Sequence, residues 1–593
     1  MNYLSFIIAS SVISILLSVS SCNRSATEKV IILGTTDIHG AILPYDYIQE
    51  HETSASLANA ATYIRKLRKD EEAVFLLDNG DILQGQPLVY YYNYIDTSSV
   101  HIVSEAFNLL EYDAQTAGNH DIEAGHSVYD RLADECNFPV LAANAVDIRS
   151  GNPYFTPFAI IKKNNFRIAV MGLITPAVPD WIPEDLYSGI EFRDMVETAK
   201  KWMPEILKQN PDLIVGLFHA GWNGEYIDYI ETDHLNENGS AAVAYNVPGF
   251  DIIFTGHDHR VANEKFLNCK GDTVLILNAG SHCENIAQAD VILSSKKFSG
   301  RRKKRLSGKI IDVSTFNPDK EFTERFDRED ALIKKYVNKV IGTSTSTFST
   351  RDSYFGSSAF VDMLHSAQLE ITGADISFAA PLSFDVRIDK GPVTVSDMLK
   401  LYRFENFLYT IKMTGEEVRK YLEFSYSGWL NTMKGPEDYL LKYRLGKDGK
   451  PLMTNGRAWL RNPSYDFDSA AGIDYFVDVS KSQGERVIIK SFSNGSPFEN
   501  NKMYKIAVNS HRGNGGGRHL TEGAGIKKDE LQSRLIHSTT KDLRYYIMKS
   551  TEEKKVIQAH PMNNWKIIPE DWVKNAASRE YKLLFGVSAG AYE

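Results

Sequence analysis

The chain has 593 residues, of which 43% are hydrophobic, 24% charged and 11% aromatic, fractions that exclude a disordered, collagen-like or polytopic membrane chain. Its net charge of −10 excludes a nucleic-acid scaffold, which needs a basic surface. Four cysteines are too few to staple a chain of this length, which leaves a large, mildly acidic, multi-domain soluble protein.

Residues 4–19, LSFIIASSVISILLSV, form an apolar run shorter than the roughly 20 residues of a spanning helix. Small residues Ser20 and Ser21 follow, then Cys22, so residues 1–21 read as an export signal. Val19-Ser20-Ser21-Cys22 resembles a bacterial lipobox, whose cleavage leaves a lipidated cysteine as the first residue. The expectation is an exported lipoprotein of the bacterial periplasm or cell surface, anchored to the membrane through Cys22, with Asn23–Lys29 as a polar tether. In such a compartment one pair among Cys136, Cys269 and Cys283 could bridge, Cys269 with Cys283 before the others.

From residue 29 to about 295 short apolar strands alternate with helical stretches, the pattern of a layered α/β domain. The strands read as 30–36, 73–80, 114–119, 167–174, 213–220 and 251–257, with helix-period tracts such as Ser56–Lys69 and Asp194–Leu207 between them. The basic tract 294–309, SSKKFSGRRKKRLSGK, reads as a solvated hairpin turn, with polyanion binding a distant second. After a helix at 328–341, the Ser/Thr-rich tract 343–358 marks a boundary. A helix at 357–372 and a mixed α+β region follow, with strands such as 408–415 and 474–480.

Asp37 and His39 follow the first strand, Asp81 the second, Asn119 and His120 the third; His219 closes the fifth, and His257 and His259 close the sixth. Each group stands at the carboxyl end of an apolar strand, where ligand sites of layered α/β sheets collect. Carboxylate and amide oxygens with imidazole nitrogens, and no thiolate, suit Zn, Mn or Fe in sites that retain water. Asp37, His39, Asp81, Asn119, His219, His257 and His259 are too many donors for one such ion and about right for two. Two ions sharing a carboxylate lower the pKa of a bridging water and clamp a phosphate for in-line attack.

The blocks D-x-H, G-D-x-x-x-G, G-N-H-D, a strand-terminal His and G-H-x-H resemble the calcineurin-like metallophosphoesterases, and their spacing with the second domain is similar to the 5′-nucleotidase branch. The resemblance implies a four-layer α/β/β/α catalytic domain over 29–345 and an α+β nucleoside-binding domain over 346–593. It implies that Asp37, His39, Asp81 and His259 hold one divalent ion (Zn, Mn, Fe or Co) and Asp81, Asn119, His219 and His257 the other. Many relatives carry Gln where His259 stands. His120 corresponds to the family histidine that stabilises the transition state or protonates the leaving oxygen. The family's supporting aspartate is replaced by Glu123, with Asp121 as the other candidate.

In this branch two aromatic rings sandwich the base, a contact worth about 1–3 kcal/mol per base. In NPSYDFDSAAGIDY the first candidate is Tyr465 and the next Phe467, with strand core as the alternative for both. The second ring position in IAVNSHRGNGGGR falls on His511, where relatives place Tyr or Phe; the loop lacks the G-K-[ST] ending of a P-loop. The branch's usual N-G-G-x-x-R block reads AAPLSFDVR here (379–387), leaving Arg387 as either a substrate contact or a solvated arginine. That form, the Y-x-F-E-N tract ending at Asn406, and F-D-x-x-x-G-I-D-Y at 467–475 resemble the 2′,3′-cyclic-nucleotide 2′-phosphodiesterase/3′-nucleotidase subgroup. The expected activity is hydrolysis of nucleoside phosphate esters by a monomeric enzyme. A 5′-nucleotidase or UDP-sugar hydrolase is the alternative, and a non-catalytic surface binding protein a more distant one.

Overall fold

The computed structural model describes residues 27–223, 236–298, 301–454 and 456–586; the export signal and Cys22 lie outside the described residues. The principal elements of the first half are β1 (Thr27–Thr35), α1 (Leu57–Asp70), β2 (Val74–Asp78), α2 (Pro87–Tyr94), β3 (Ala114–Thr116), α3 (Asn119–Glu123), β4 (Val140–Leu141), β5 (Phe158–Lys163), β6 (Phe166–Ile174), α4 (Met195–Lys208), β7 (Leu213–His219), β8 (Ile252–Thr255), β9 (Val261–Leu267), β10 (Thr273–Ala279), β11 (Asn285–Phe298) and β12 (Arg301–Asp312). They form two six-stranded sheets, ordered β12-β11-β1-β2-β3-β4 and β9-β10-β8-β7-β6-β5. β1 to β4 run parallel, as do β6, β7, β8 and β10.

The side-chain period of two builds the layers. Val30, Ile32, Phe75 and Leu77 face Ile168, Val170, Val215 and Leu217 of the other sheet. Ile31, Leu33 and Leu76 turn outward under α1, while Ala169, Met171 and Ile214 turn toward α4. Burial on both faces is why these strands read as near-continuous apolar runs. Ser56 caps α1 through the Asn59 N–H, and Asp194 caps α4 through the Glu197 N–H, satisfying donors that open helix ends leave orphaned.

The basic tract is strand rather than turn over most of its length, in the β11–β12 hairpin. Arg302 pairs with Glu28 and Asp212, Lys304 with Asp251 and Lys309 with Asp290, so local carboxylates match part of its charge. Cys136, Cys269 and Cys283 are all free, with Cys283 buried and Cys269 exposed, so the bridge that the sequence left open is not formed. No helix among the described residues is long and apolar enough to cross a membrane.

The second half contributes α5 (Ala359–Thr372), β13 (Ile376–Ala379), β14 (Phe407–Thr414), α6 (Gly415–Trp429), β15 (Ser469–Ala471), β16 (Met503–Asn509), β17 (Leu535–Asp542) and α7 (Leu543–Lys554). Its main sheet is ordered β15-β13-β16-β14-β17. The Ser/Thr-rich tract is folded, Val340–Ser344 pairing with Gly391–Thr394. Leu88 and Val89 of α2 belong to the same apolar cluster as Leu399, Leu401 and Tyr402, so a packed seam joins the two halves beside the carboxyl ends of the first sheet.

Candidate active site

Those carboxyl ends carry the polar residues, and the backbone there is strained. Asp37, His39, Asp81, His257 and His259 hold φ angles of 49°, 49°, 59°, 72° and 55°, a left-handed conformation that costs a non-glycine residue about 1–3 kcal/mol and clusters at functional sites. Two glycines make the required room. A Cβ on Gly118 would fall 2.1 Å from Asp81 Oδ1, and one on Gly256 would fall 2.3 Å from Thr36 Oγ1.

The donors converge in two groups, Asp37 with His39 and His259, and Asp81 with His219 and His257; within each group the ligand atoms lie within 4.8 Å of one another. Asn119 joins the second, its Oδ1 2.8 Å from His257 Nδ1 and 3.2 Å from His219 Nε2. Asp81 Oδ2 lies 3.1 Å from His219 Nε2. In the first group Nε2 of His39 and Nε2 of His259 face each other at 3.1 Å. Imidazole nitrogens so aimed need a shared proton or a cation between them, and carboxylates at their side favour the cation. The rings are fixed from behind. His219 Nδ1–H donates to the Asn79 carbonyl at 2.6 Å and His39 Nδ1–H to the Gln84 carbonyl at 3.1 Å, which turns each Nε2 toward the donor group, where a metal would take it as a ligand. Burial lowers His39 to about 3, so it stands neutral, and Asp37 is held below the usual carboxylate range by its imidazole neighbours against the opposing effect of burial. The donor chemistry fits two divalent cations.

His120 opens α3. Its Nδ1–H donates to Glu123 Oε2 at 2.5 Å, and its backbone N–H donates to Asp81 Oδ1 at 2.8 Å. Burial opposes charging of the ring, but the Asp81 and Glu123 carboxylates outweigh it and raise His120 to about 9. Asp121 does not reach the ring. It accepts the backbone N–H groups of Asp81, Ile82, Leu83 and Gly118, so it shapes the Asp81 loop while Glu123 orients the imidazole.

Between the halves, a cavity of about 320 Å³ opens from His120 and is lined by Trp181, Phe404, Asn406, Tyr465 and His511. Burial lowers His511 to about 3, so a neutral ring faces the cavity. Phe467 is a correction: it is buried and stacks on Trp429 at 4.9 Å and 7°, a core aromatic. Arg387 is another, pairing with Asp389 at 2.6 Å and lining neither this cavity nor the next. A second cavity, of about 390 Å³, meets the first at His120 and Phe404 and is bounded by His39, His259, His282 and Arg403.

Residues 31–261 match the Calcineurin-like phosphoesterase family, and residues 340–522 match the 5′-nucleotidase C-terminal domain. The chain thus carries a calcineurin-like phosphoesterase domain followed by a 5′-nucleotidase C-terminal domain. It is 25% identical over 93% of its length to the 2′,3′-cyclic-nucleotide 2′-phosphodiesterase/3′-nucleotidase of Yersinia enterocolitica, covering 90% of that protein. It is 27% identical over 67% of its length to the 5′-nucleotidase of Vibrio cholerae, covering 75% of it. Its fold is similar to a Staphylococcus aureus structure provisionally assigned as a 5′-nucleotidase, with a TM-score of 0.73, 20% identity and coverage of 91% and 100% of the two chains. This phosphoesterase is thus a phosphoric ester hydrolase of a family that uses a dinuclear divalent metal centre.

The phosphoesterase also places at the site residues that no motif signalled. Glu237 Oε1 lies 3.0 Å from His257 Nε2, a carboxylate behind a metal-facing imidazole. The Trp181 indole stacks on the His257 ring at 5.3 Å. Both come from irregular segments without periodicity. Phe404 stood within the Y-x-F-E-N tract, two residues before Asn406, and its position there was the one available signal.

Proposed function

We propose that this phosphoesterase hydrolyses nucleoside phosphate esters, with 2′,3′-cyclic nucleotides and 3′-nucleotides as its substrates. The observation that carries the reading is that the two donor groups, linked where the Asp81 carbonyl accepts from the His39 N–H and Asp37 accepts from the His257 N–H, open beside His120 into a cavity walled by Tyr465 and His511. A nucleotide's phosphate and base need those two environments side by side. Relatives of the cyclic phosphodiesterase type, at about 25% identity over nearly the whole chain, support the cyclic preference. So does Arg387, which is engaged by Asp389 where a 5′-nucleotidase would direct its N-G-G-x-x-R arginine at phosphate.

Asp37, His39, Asp81 and His259 would hold one ion and Asp81, Asn119, His219 and His257 the other; when bound, the pair supplies electrophilic activation of the phosphoryl group and of water. The protein's own residues do the rest. Tyr465 and His511 grip the base, and Asn406 borders it. His120, held by Glu123 through Nδ1, presents Nε2 to the departing ribose oxygen and delivers its proton there. Opening the cyclic diester breaks one P–O bond and adds one water; a second water releases phosphate from the 3′-ester. The catalytic unit is assigned to residues 29–345 and the nucleoside-binding unit to 346–593, with export and a lipid on Cys22 supported by the apolar run before it. Loss of membrane association in Cys22→Ala would test the anchor.

The test of the activity is a panel of 2′,3′-cyclic AMP, 3′-AMP, 5′-AMP and a UDP-sugar, assayed with Mn, Zn and Co separately. The reading expects the highest kcat/KM on the cyclic diester. Highest turnover on 5′-AMP would replace it with the 5′-nucleotidase reading.

A further inference from the structure

A third cavity, of about 860 Å³, lies on the C-terminal half. It shares Leu382 and Tyr465 with the base cavity and Phe384 and Arg403 with the polar cavity beside His39. Its further walls bring Arg444, Arg457 and Trp459 together, and no carboxylate side chain lines it. In a chain of net charge −10 this concentration of guanidinium groups runs against the average. Arg457 pairs with Asp385 at 3.3 Å, whereas Arg403 and Arg444 form no ion pair among the described residues. Trp459 is 48% exposed and Tyr465 45%, and the Arg444 guanidinium stands 5.5 Å from the Trp459 ring centroid.

Exposed aromatic rings beside unpaired cations are the chemistry that holds single-stranded nucleic acid, the rings stacking on bases and the cations following the phosphates. We propose that this cavity is a subsite for a second nucleotide, so that the enzyme acts on the 3′ ends of short oligoribonucleotides as well as on mononucleotides. The inference rests on the reading of the activity above. A nucleoside whose base lies against Tyr465 and whose 2′,3′ edge faces His120 directs its 5′ oxygen away from the donor groups. The third cavity, across the Tyr465 wall, receives what that oxygen carries: Arg403 and Arg444 meet the linking phosphate, and Trp459 stacks on the next base. The bond broken stays the terminal phosphoester.

The metal-loaded full chain is compared on adenosine 2′,3′-cyclic phosphate and on the dinucleotide ApA bearing the same terminal cyclic phosphate. The dinucleotide is expected to show a kcat/KM higher by about 5- to 150-fold, the span of one stacked base, mostly through KM. Trp459→Ala removes that advantage and leaves the mononucleotide rate unchanged, Trp459→Phe keeps most of it, and Arg444→Ala flattens the salt dependence of dinucleotide turnover. Equal kcat/KM for the two substrates in the parent enzyme, or a Trp459→Ala loss shared by both, overturns the subsite. Should neither cyclic compound react while 5′-AMP does, the activity reading fails separately. Calorimetric binding of unphosphorylated ApA against adenosine then decides the subsite: tighter ApA binding that Trp459→Ala abolishes supports it, and equal binding overturns it.

Discussion

The guanidinium of Arg512 donates to the backbone carbonyl of Tyr465 at 2.6 Å. The same side chain, 3% exposed, donates to Asp468 at 2.9 Å and follows His511 directly in the chain. One buried arginine therefore ties together the two loops that carry the base-cavity rings. Arg512→Ala leaves Asp468 buried without its ion-pair partner, with the Tyr421 hydroxyl still donating to its carboxylate, a loss of about 3–5 kcal/mol. Arg512→Lys keeps a charge but not the fork. Thermal unfolding and nucleotide KM would check this; in the lysine variant KM should rise at least about tenfold with kcat less affected, and an unchanged KM would detach Arg512 from substrate binding.

His120→Ala should lower kcat by about 10²- to 10⁴-fold, the usual worth of a positioned proton donor, with metal content intact. Glu123→Gln should lose less, because the ring keeps a hydrogen-bonding neighbour. Steady-state kinetics on protein of verified metal content would decide, and equal rates for His120→Ala and parent would remove His120 from the reaction.

Glu237 reaches His257 from outside the donor group. Glu237→Gln should weaken metal affinity about 10- to 100-fold, read as a shift in the chelator concentration that inactivates the enzyme. Full chelation should abolish hydrolysis, and added divalent metal should restore it.

At the seam between the halves, Glu405 accepts from Tyr94 and Arg544, each at 3.2 Å. Burial, reinforced by Glu123 and Asp542, lifts its carboxyl from 4.5 to about 7 despite Arg544. A folded value above the unfolded one means the folded chain holds the proton longer, so stability falls as pH rises from about 4.5 to about 7 and levels beyond. The shift corresponds to at most ~3 kcal/mol. Melting temperatures between pH 5 and 8 should show this slope in the parent and a shallower one in Glu405→Gln. Parallel profiles would place the proton elsewhere.

Gly118→Ala sets a methyl group against the Asp81 carboxylate. The variant should fold with reduced metal content and little hydrolysis, measurable by elemental analysis. Full metal occupancy would show that the loop yields at that point.

The catalytic half was legible because its strands are buried on both faces. Ile31 and Val30 are both apolar although they face different layers, and the first charge after them appears at Asp37, where the strand has ended. The nucleoside half offered no such contrast. Tyr465 and Phe467 stand two apart in one short segment, yet Tyr465 sits in the turn Ser464–Asp466 and faces the cavity while Phe467 enters the core. Spacing cannot separate them, because a turn breaks the alternation that spacing relies on. Arg387 read equally as contact or surface, and its neighbour Asp389 decided the matter. Trp181 and Glu237 reach the site from loops, where neither period nor burial leaves a trace in the residue order.

The left-handed backbone at Asp37, His39, Asp81, His257 and His259 restricts which changes this centre can survive. A replacement there must supply a donor atom and also tolerate a positive φ, and Asn, Asp and His are the residues enriched in that region. Glutamate and cysteine can ligate but gain no such conformational help, and valine or isoleucine fails on both counts. The small chemical vocabulary of the rim is therefore dictated by the peptide chain as much as by the ions, and exchanging one metal preference for another would require rebuilding the turns before the ligands.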